Sequence, residues 1–375
     1  MKHARLGADS AAALHGLHHR GAAGADLARE CAEDTLLPFW ERLERRAFLP
    51  TQGHAYAAAL SRTILAGQRM ETFFVPGSGG IGALLPLCRG PGWLARWRMV
   101  GACEIFEPGD ALSESPEAAR LLAEKLARLS RPMRLDRIPA GSLLVPAMKA
   151  AMKGKGLVLV RPATACPTIA LDERWQEPET RFNARRRSDF RRAARKAEAF
   201  GSVTFEVLSP GPDEFQVLFD EALGVELRSW KKEAGTAIAS ERGKEDFFRD
   251  YFAACSREGR LRIAFMRIDG RAAAMQLAVE FSGRYWLFKI GYDSEFGKCS
   301  PGTLLMLHTL GWAAKAGLSS YELLGETEAW IADFWTRDKR PFVQLRSYPM
   351  SLQGGAALAA DGWVWLRNRL ARGRA

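Results

Sequence analysis

A mixed α/β (α+β) fold is what this sequence predicts, and three observations carry the prediction. Residues 261–292 read as three short strands in succession, joined by the turn pairs Asp269-Gly270 and Ser282-Gly283. The third strand, YWLFKIGYD, is rich in aromatic and β-branched residues. It runs through FGKCSPG into a helix, TLLMLHTLGWAAKAG, stopped at Gly317, and SYELLG then returns as a strand. A strand that delivers a small-residue turn onto a helix N-terminus builds an anion site, because backbone N–H groups without helical partners converge there. That geometry suits the pyrophosphate of a nucleotide-like cofactor.

The remaining elements follow in order. DTLLPFWERLERRAF and HAYAAALSRTILAG have helical spacing, parted by Pro50 to Gly53. ETFFVP and IGALLPL read as strands paired around Gly77 to Gly80. That turn lacks the lysine and following helix of a phosphate loop, so a hairpin is expected. In Trp93 to Val100 a half-buried strand is the simplest reading. SPEAARLLAEKLARL is a helix with Ser115 as N-cap and Pro116 at its first position. MRLDRIP then reads as a strand, AGSLLVPAMKAAMKG as a helix, and GLVLVRP and PTIAL as two further strands. Arg181 to Lys196 carries eight basic residues against Asp189 alone. On a helix, Arg181, Arg185, Arg192 and Lys196 form one stripe, while Phe182, Phe190 and Ala194 face inward.

Composition narrows the function classes. At 375 residues with 47% hydrophobic content the chain has ample core. No apolar run reaches the ~18 residues that span a bilayer. The first residues lack the apolar stretch of a secretory signal, so a cytoplasmic protein is expected. The six cysteines are scattered without a CxxC, which argues against a zinc site and a disulfide framework. Four of the six histidines fall in the first nineteen residues, read as part of a flexible tail rather than a metal site. A net charge of +11 implies an anionic partner: CoA, a membrane surface, a phosphorylated acceptor or nucleic acid.

The segment from about residue 180 to 347 resembles a known family. The strand ending in a hairpin at Gly259 to Gly270, Gly291-Tyr292-Asp293 after the third strand, Ser300-Pro301-Gly302 at the helix start and the strand ending at Gly325 resemble the GNAT acyltransferases. With Glu226 to Lys231 and Gly235 to Ile238 they point to the CelD-like (BioF2-like) branch, which is related to the FemAB-type peptidyl transferases. The resemblance implies an acyl-CoA N-acyltransferase, with a degenerate GNAT-like copy over residues 31–178 and the acyltransferase domain over 179–350. Residues 1–30 are expected to be a disordered tail and 351–375 a basic Trp/Arg tail.

It also implies that backbone groups of Phe288 to Tyr292, Ile290 and Gly291 among them, hold the pantetheine arm. The loop from Phe296 to Gly302, with Gly297, Lys298, Ser300, Pro301 and Gly302, is implied to hold the pyrophosphate. The residues agree, since Gly297 and Gly302 allow close backbone approach and Pro301 suits a first helical turn. Acyl transfer from a thioester to an amine needs a base and an oxyanion donor but no covalent intermediate. Glu326, at the carboxyl end of a strand, is the first candidate base, followed by Glu328 and Glu226. To serve, Glu326 needs burial against Trp330 and Phe334. Arg228, Trp230, Lys231 and Trp330 are candidate acceptor-side residues; Trp330-Ile331 stands where CelD-like chains carry Tyr-Lys.

The acceptor expected is an amine of a cell-envelope precursor, either an amino sugar of an exported polysaccharide or a long-chain lipid base. A FemAB-type transfer from aminoacyl-tRNA and a catalytically inert binding module are the alternatives. Cys299 and His308 are expected to be packed rather than catalytic. Tryptophan and arginine in DGWVWLRNRLARGRA suggest contact with an anionic membrane at its inner face.

Overall fold

The computed structural model describes residues 27–229, 243–326 and 328–372. The histidine-rich start, Trp230, Lys231 and Gly235 to Ile238 lie outside the described residues.

Two helices come first, α1 (Leu27–Glu44) and α2 (His54–Arg62), followed by the hairpin β1 (Arg69–Gly77) and β2 (Gly80–Arg89). Short strands β3 (Trp97–Met99) and β4 (Leu112–Ser113) lead to α3 (Pro116–Leu126). Ser115 caps α3 by accepting the Ala118 N–H at 3.1 Å. Next come β5 (Met133–Pro139), α4 (Leu144–Ala151) and β6 (Gly156–Ala170). The second half runs α5 (Ala184–Glu198), β7 (Val203–Leu208), α6 (Pro212–Leu227) and α7 (Lys244–Arg257), then β8 (Leu261–Ile268), β9 (Arg271–Phe281) and β10 (Arg284–Tyr292). It closes with α8 (Pro301–Lys315), β11 (Ser320–Glu322), α9 (Ala329–Phe334), β12 (Lys339–Pro349) and α10 (Leu352–Arg372).

The strands form one mixed sheet in the order β1-β2-β3-β5-β12-β6-β11-β10-β9-β8-β7, with β4 beside β2. The turns at Asp269-Gly270 (φ 48° and 79°) and Ser282-Gly283 (φ 50° and 66°) are left-handed pairs, as tight antiparallel hairpins require. Gly317 ends α8 at φ 75°.

Two expectations are corrected. GLVLVRP and PTIAL are not separate strands but one, β6, which pairs with β12 on one side and β11 on the other. Pro162 and Pro167 each remove only a single donor, and a bulge in β6 between Ala163 and Cys166, opposite Arg340 to Phe342 of β12, absorbs the irregularity. In Trp93 to Val100 only β3 forms, and Trp93 and Leu94 are exposed.

The first two helices pack on β2 of their own half and also reach across to the second. Tyr56 of α2 meets Phe247 and Tyr251 of α7 edge-on, each at 5.3 Å, so α1 and α2 share a core with α6, α7, β8 and β9. The opposite face of the second half carries α5 and α8. Helices α3 and α4 cover the first half, where β12 also packs.

Candidate functional site

Two strands that part create the site. β10 and β11 pair in parallel only over Arg284–Trp286 and Ser320–Glu322. Beyond that, the β10–β9 ladder shifts register between Leu287 and Lys289, which re-aims β10. The other chain stays with β6, where the Leu323 N–H donates to Pro167 O at 3.0 Å. A cleft of about 310 Å³ lies among the far half of β10, the N-terminus of α8 and the α9 turn.

Every residue expected to hold the cofactor lines this cleft except one. Ile290, Gly291 and Tyr292 line it from β10, and Gly297, Ser300, Pro301 and Gly302 from the turn. Lys298 is exposed and does not line it. Ser300 adopts a left-handed conformation (φ 51°, ψ 53°), unusual for a side chain larger than glycine, and this bend aims the first turn of α8 at the opening. A Cβ added at Gly297 or Gly302 would meet only Tyr292, at 3.8 and 3.7 Å, so their backbone is uncovered.

The turn is anchored from behind. Buried Asp293 accepts from Arg228 Nε and Arg271 Nη2, each at 2.6 Å, and from the Glu295 N–H at 3.1 Å. Burial opposes its charge, but these hydrogen bonds outweigh burial and hold the carboxyl below its usual range. Arg228 is thus engaged with Asp293 and does not line the cleft.

The three candidate carboxylates separate. Glu328 lines the cleft beside Trp330, whose indole N–H donates to Glu328 Oε2 at 2.7 Å. Glu326 is exposed and off the lining, and the expected burial against Trp330 and Phe334 does not form, since those rings are themselves 36% and 37% exposed. The polar α9 turn holds Glu326 out in solvent. Glu226 is buried beneath β10, and a Cβ at Gly291 would lie 3.3 Å from its Cα. A side chain at 291 would crowd the end of α6, so glycine suits this close approach.

Sequence reasoning missed Met275, Gln276, Thr303, Leu305, Met306 and Trp335, which complete the cleft wall. A lone glutamine in the apolar run AAAMQLAV was the available signal. Cys299 is buried with its S–H donating to Phe296 O at 3.0 Å, and burial pushes the thiol pKa up. His308 stacks on Phe205 at 5.0 Å, and burial lowers its pKa. Among the described residues no group of three or more His, Cys, Asp or Glu side chains could hold a metal ion, and no helix is long and apolar enough to cross a membrane.

With this geometry in view, residues 184–331 match the family model of the acetyltransferase (GNAT) domain. The chain carries a GNAT acyltransferase domain over that segment, which holds β7 to β11 of the mixed sheet. Solved structures similar to the chain agree in fold. FemX has TM-score 0.54 at 11% identity, with 84% of this chain and 96% of that chain covered. The C-terminal domain of a putative lysylphosphatidylglycerol synthetase from Agrobacterium fabrum has TM-score 0.51 at 14% identity, covering 88% and 95%. A Bacteroides thetaiotaomicron protein of unknown function has TM-score 0.53 at 8% identity, covering 83% and 96%. No curated protein matches the chain.

Proposed function

We propose that the cleft binds an acyl-CoA and transfers its acyl group to an amine of a cell-envelope precursor, an amino sugar of an exported polysaccharide or a sphingoid base. The observation that carries this reading is the uncovered turn Gly297 to Gly302, opening the α8 N-terminus beside a strand that has parted from its neighbour. The α8 N-terminus takes the pyrophosphate, and the free edge of β10 offers backbone groups to the pantetheine arm. Basic helix α5 packs against the same turn, close enough that the Lys196 charge acts on Cys299, and adds positive potential for the phosphates.

In the chemical step the acceptor nitrogen attacks the thioester carbon, the C–S bond breaks, and CoA leaves as its thiolate. Glu328 is the base in this proposal, because it alone of the three carboxylates lines the cleft. It takes the ammonium proton, and the Trp330 N–H fixes its carboxylate. The first half, with its own hairpin, strands and covering helices, is read as a degenerate copy of the acyltransferase fold, consistent with the CelD-like branch.

The envelope assignment rests on α10. Its residues Leu352, Ala359, Trp363, Leu366 and Leu370, spaced 7, 4, 3 and 4 apart, form one stripe on the face opposite buried Gly354 and Ala357. Leu352, Trp363 and Leu370 are 84%, 68% and 61% exposed. Arg367 and Arg369 flank the stripe, and the helix's acidic residue, Asp361, is taken up by Arg96 and Arg346. An apolar stripe with tryptophan and flanking arginines suits an anionic lipid interface.

The test is transfer with the purified chain. Acyl-CoA incubated with an amino sugar or a sphingoid base should release free thiol in proportion to acylated amine, unaffected by ribonuclease. Transfer that needs aminoacyl-tRNA and stops with ribonuclease would establish the FemAB-type donor instead. Saturable CoA binding with no transfer to any amine would point to a binding module.

A further inference from the structure

The cleft contains a polar side chain that neither the family model nor the turn explains. Gln276 lies on β9 directly across the ladder from Ile290 and is 2% exposed, yet it lines the cleft. Its amide is held from behind. Tyr321 Oη donates to Gln276 Oε1 at 2.9 Å, and Tyr285 Oη reaches the same oxygen at 3.4 Å. Tyr321 is set in turn by Thr309 of α8, oxygen to oxygen at 3.0 Å, and the two tyrosine rings stack at 4.5 Å. Burial pushes the pKa of both phenols up, so both keep the protons they donate.

With the oxygen end occupied twice, the NH2 end of Gln276 is what the amide presents. Its contact is Met306 Sδ at 3.7 Å, and a thioether is a weak acceptor. Around it the cleft wall is Met275, Ile290, Leu305 and Met306. A donor fixed in an apolar wall selects for a ligand oxygen, because a buried donor left unmatched loses the hydrogen bond it had with water. Gln276 lies opposite Ile290, two residues back along β10 from Tyr292 and the turn that follows. A linear ligand whose diphosphate sits at the α8 N-terminus and which runs back along β10 passes Gln276 with its mid-section. In CoA that section carries amide carbonyls.

We infer that Gln276 is the hydrogen-bond donor that reads a carbonyl oxygen on the pantetheine arm, with Tyr321 and Tyr285 as the residues that orient it. The inference rests on the acyl-CoA reading above and narrows it, since it ties recognition to the arm rather than to the nucleotide.

Two ligands separate arm from nucleotide: CoA, and adenosine 3′,5′-bisphosphate, which lacks the arm. Calorimetry on the full chain should show Gln276→Met weakening CoA about tenfold and leaving adenosine 3′,5′-bisphosphate unchanged. Tyr321→Phe keeps the ring but frees the amide to turn, and should weaken CoA by a smaller factor, roughly threefold, again without touching the bisphosphate. This second variant carries the test alone if Gln276→Met does not fold. CoA affinity unchanged in a folded Gln276→Met, or equal losses on both ligands, would overturn the assignment. A wild-type chain that binds no CoA would instead overturn the donor reading beneath it.

Discussion

The two halves of the sheet each contain a glycine turn beside a strand end, and they put it to opposite uses. In the first half the turn between β1 and β2 is plugged. A Cβ at Gly80 would fall 2.2 Å from Phe39 Cε1, and one at Gly79 2.9 Å from Arg42 Cζ. The Ser78 N–H is taken by Glu114 at 2.9 Å, and Glu114 is paired with Arg42 at 2.9 Å. In the second half an added Cβ at Gly297 or Gly302 would make only ordinary contact with Tyr292, a helix follows at once, and the neighbouring strand pairs no further. The lesson is that glycine content does not make an anion site. An uncovered backbone, a helix start and a gap in the sheet must coincide. On the proposed reading, chemistry falls to the second half and stability to the first.

That division breaks most visibly if the base is elsewhere. Glu328→Gln keeps the shape and the Trp330 contact while removing the proton acceptor. Turnover should fall ~10²–10⁴-fold with CoA affinity intact. Steady-state kinetics on a folded variant within about threefold of wild type would return Glu326 and Glu226 to consideration.

The converse belongs to the plugged turn. Gly80 holds φ 101° under Phe39, so Gly80→Ala should cost on the order of 1–3 kcal/mol in denaturant unfolding. Turnover per folded molecule should not change. A catalytic defect there would blur the contrast between the halves.

Attachment is sharpened through α10. Trp363→Ser combined with Leu370→Ser should lower partition onto anionic vesicles at least about tenfold while leaving soluble-substrate turnover alone. Co-sedimentation that is unchanged would remove the lipid-facing role of the stripe.

The smallest effect concerns how α10 is docked. Asp361 accepts from Arg96 at 2.7 Å, Arg346 at 3.0 Å and Tyr348 at 2.5 Å. Burial opposes its charge, but the hydrogen bonds from Arg96 and Tyr348 hold its carboxyl down at about 2, below the ordinary 3.8. A depressed carboxyl stabilises the fold above its unfolded pKa, and that stability is lost as pH falls through the folded value. The stability gap between wild type and Asp361→Asn should thus be full near pH 6 and close between about pH 4 and pH 2. A pH-independent gap in unfolding experiments would show that packing, not charge, docks the helix.

Much of this was legible in the chain. The hairpin residues Asp269-Gly270 and Ser282-Gly283, the Ser115 cap and the Gly317 stop gave their elements directly, because each is a local backbone requirement. The Ile290 to Gly302 segment was named through the resemblance to the GNAT acyltransferases, with local backbone reasons only at Gly297, Pro301 and Gly302. What was hidden depends on partners far away in sequence. Gln276 gains its meaning only from Tyr321, on another strand, and Glu328 outranks Glu326 only through the course of the chain after β11. Residues 156–171 were divided at Pro162 and Pro167 because the pairing that makes them one strand comes from β12 and β11, far away in sequence.

The most direct test of the central claim is CoA affinity after Gly302→Glu, with Gly80→Ala as the control. The protein has room at Gly302, since an added Cβ meets only Tyr292 at 3.7 Å, so the variant should fold. It places a carboxylate where the pyrophosphate is proposed to sit, and calorimetry should show CoA binding weakened well over tenfold, about 1.4 kcal/mol or more, with the Gly80 control binding normally. CoA affinity equal to wild type in a folded Gly302→Glu protein would contradict the account.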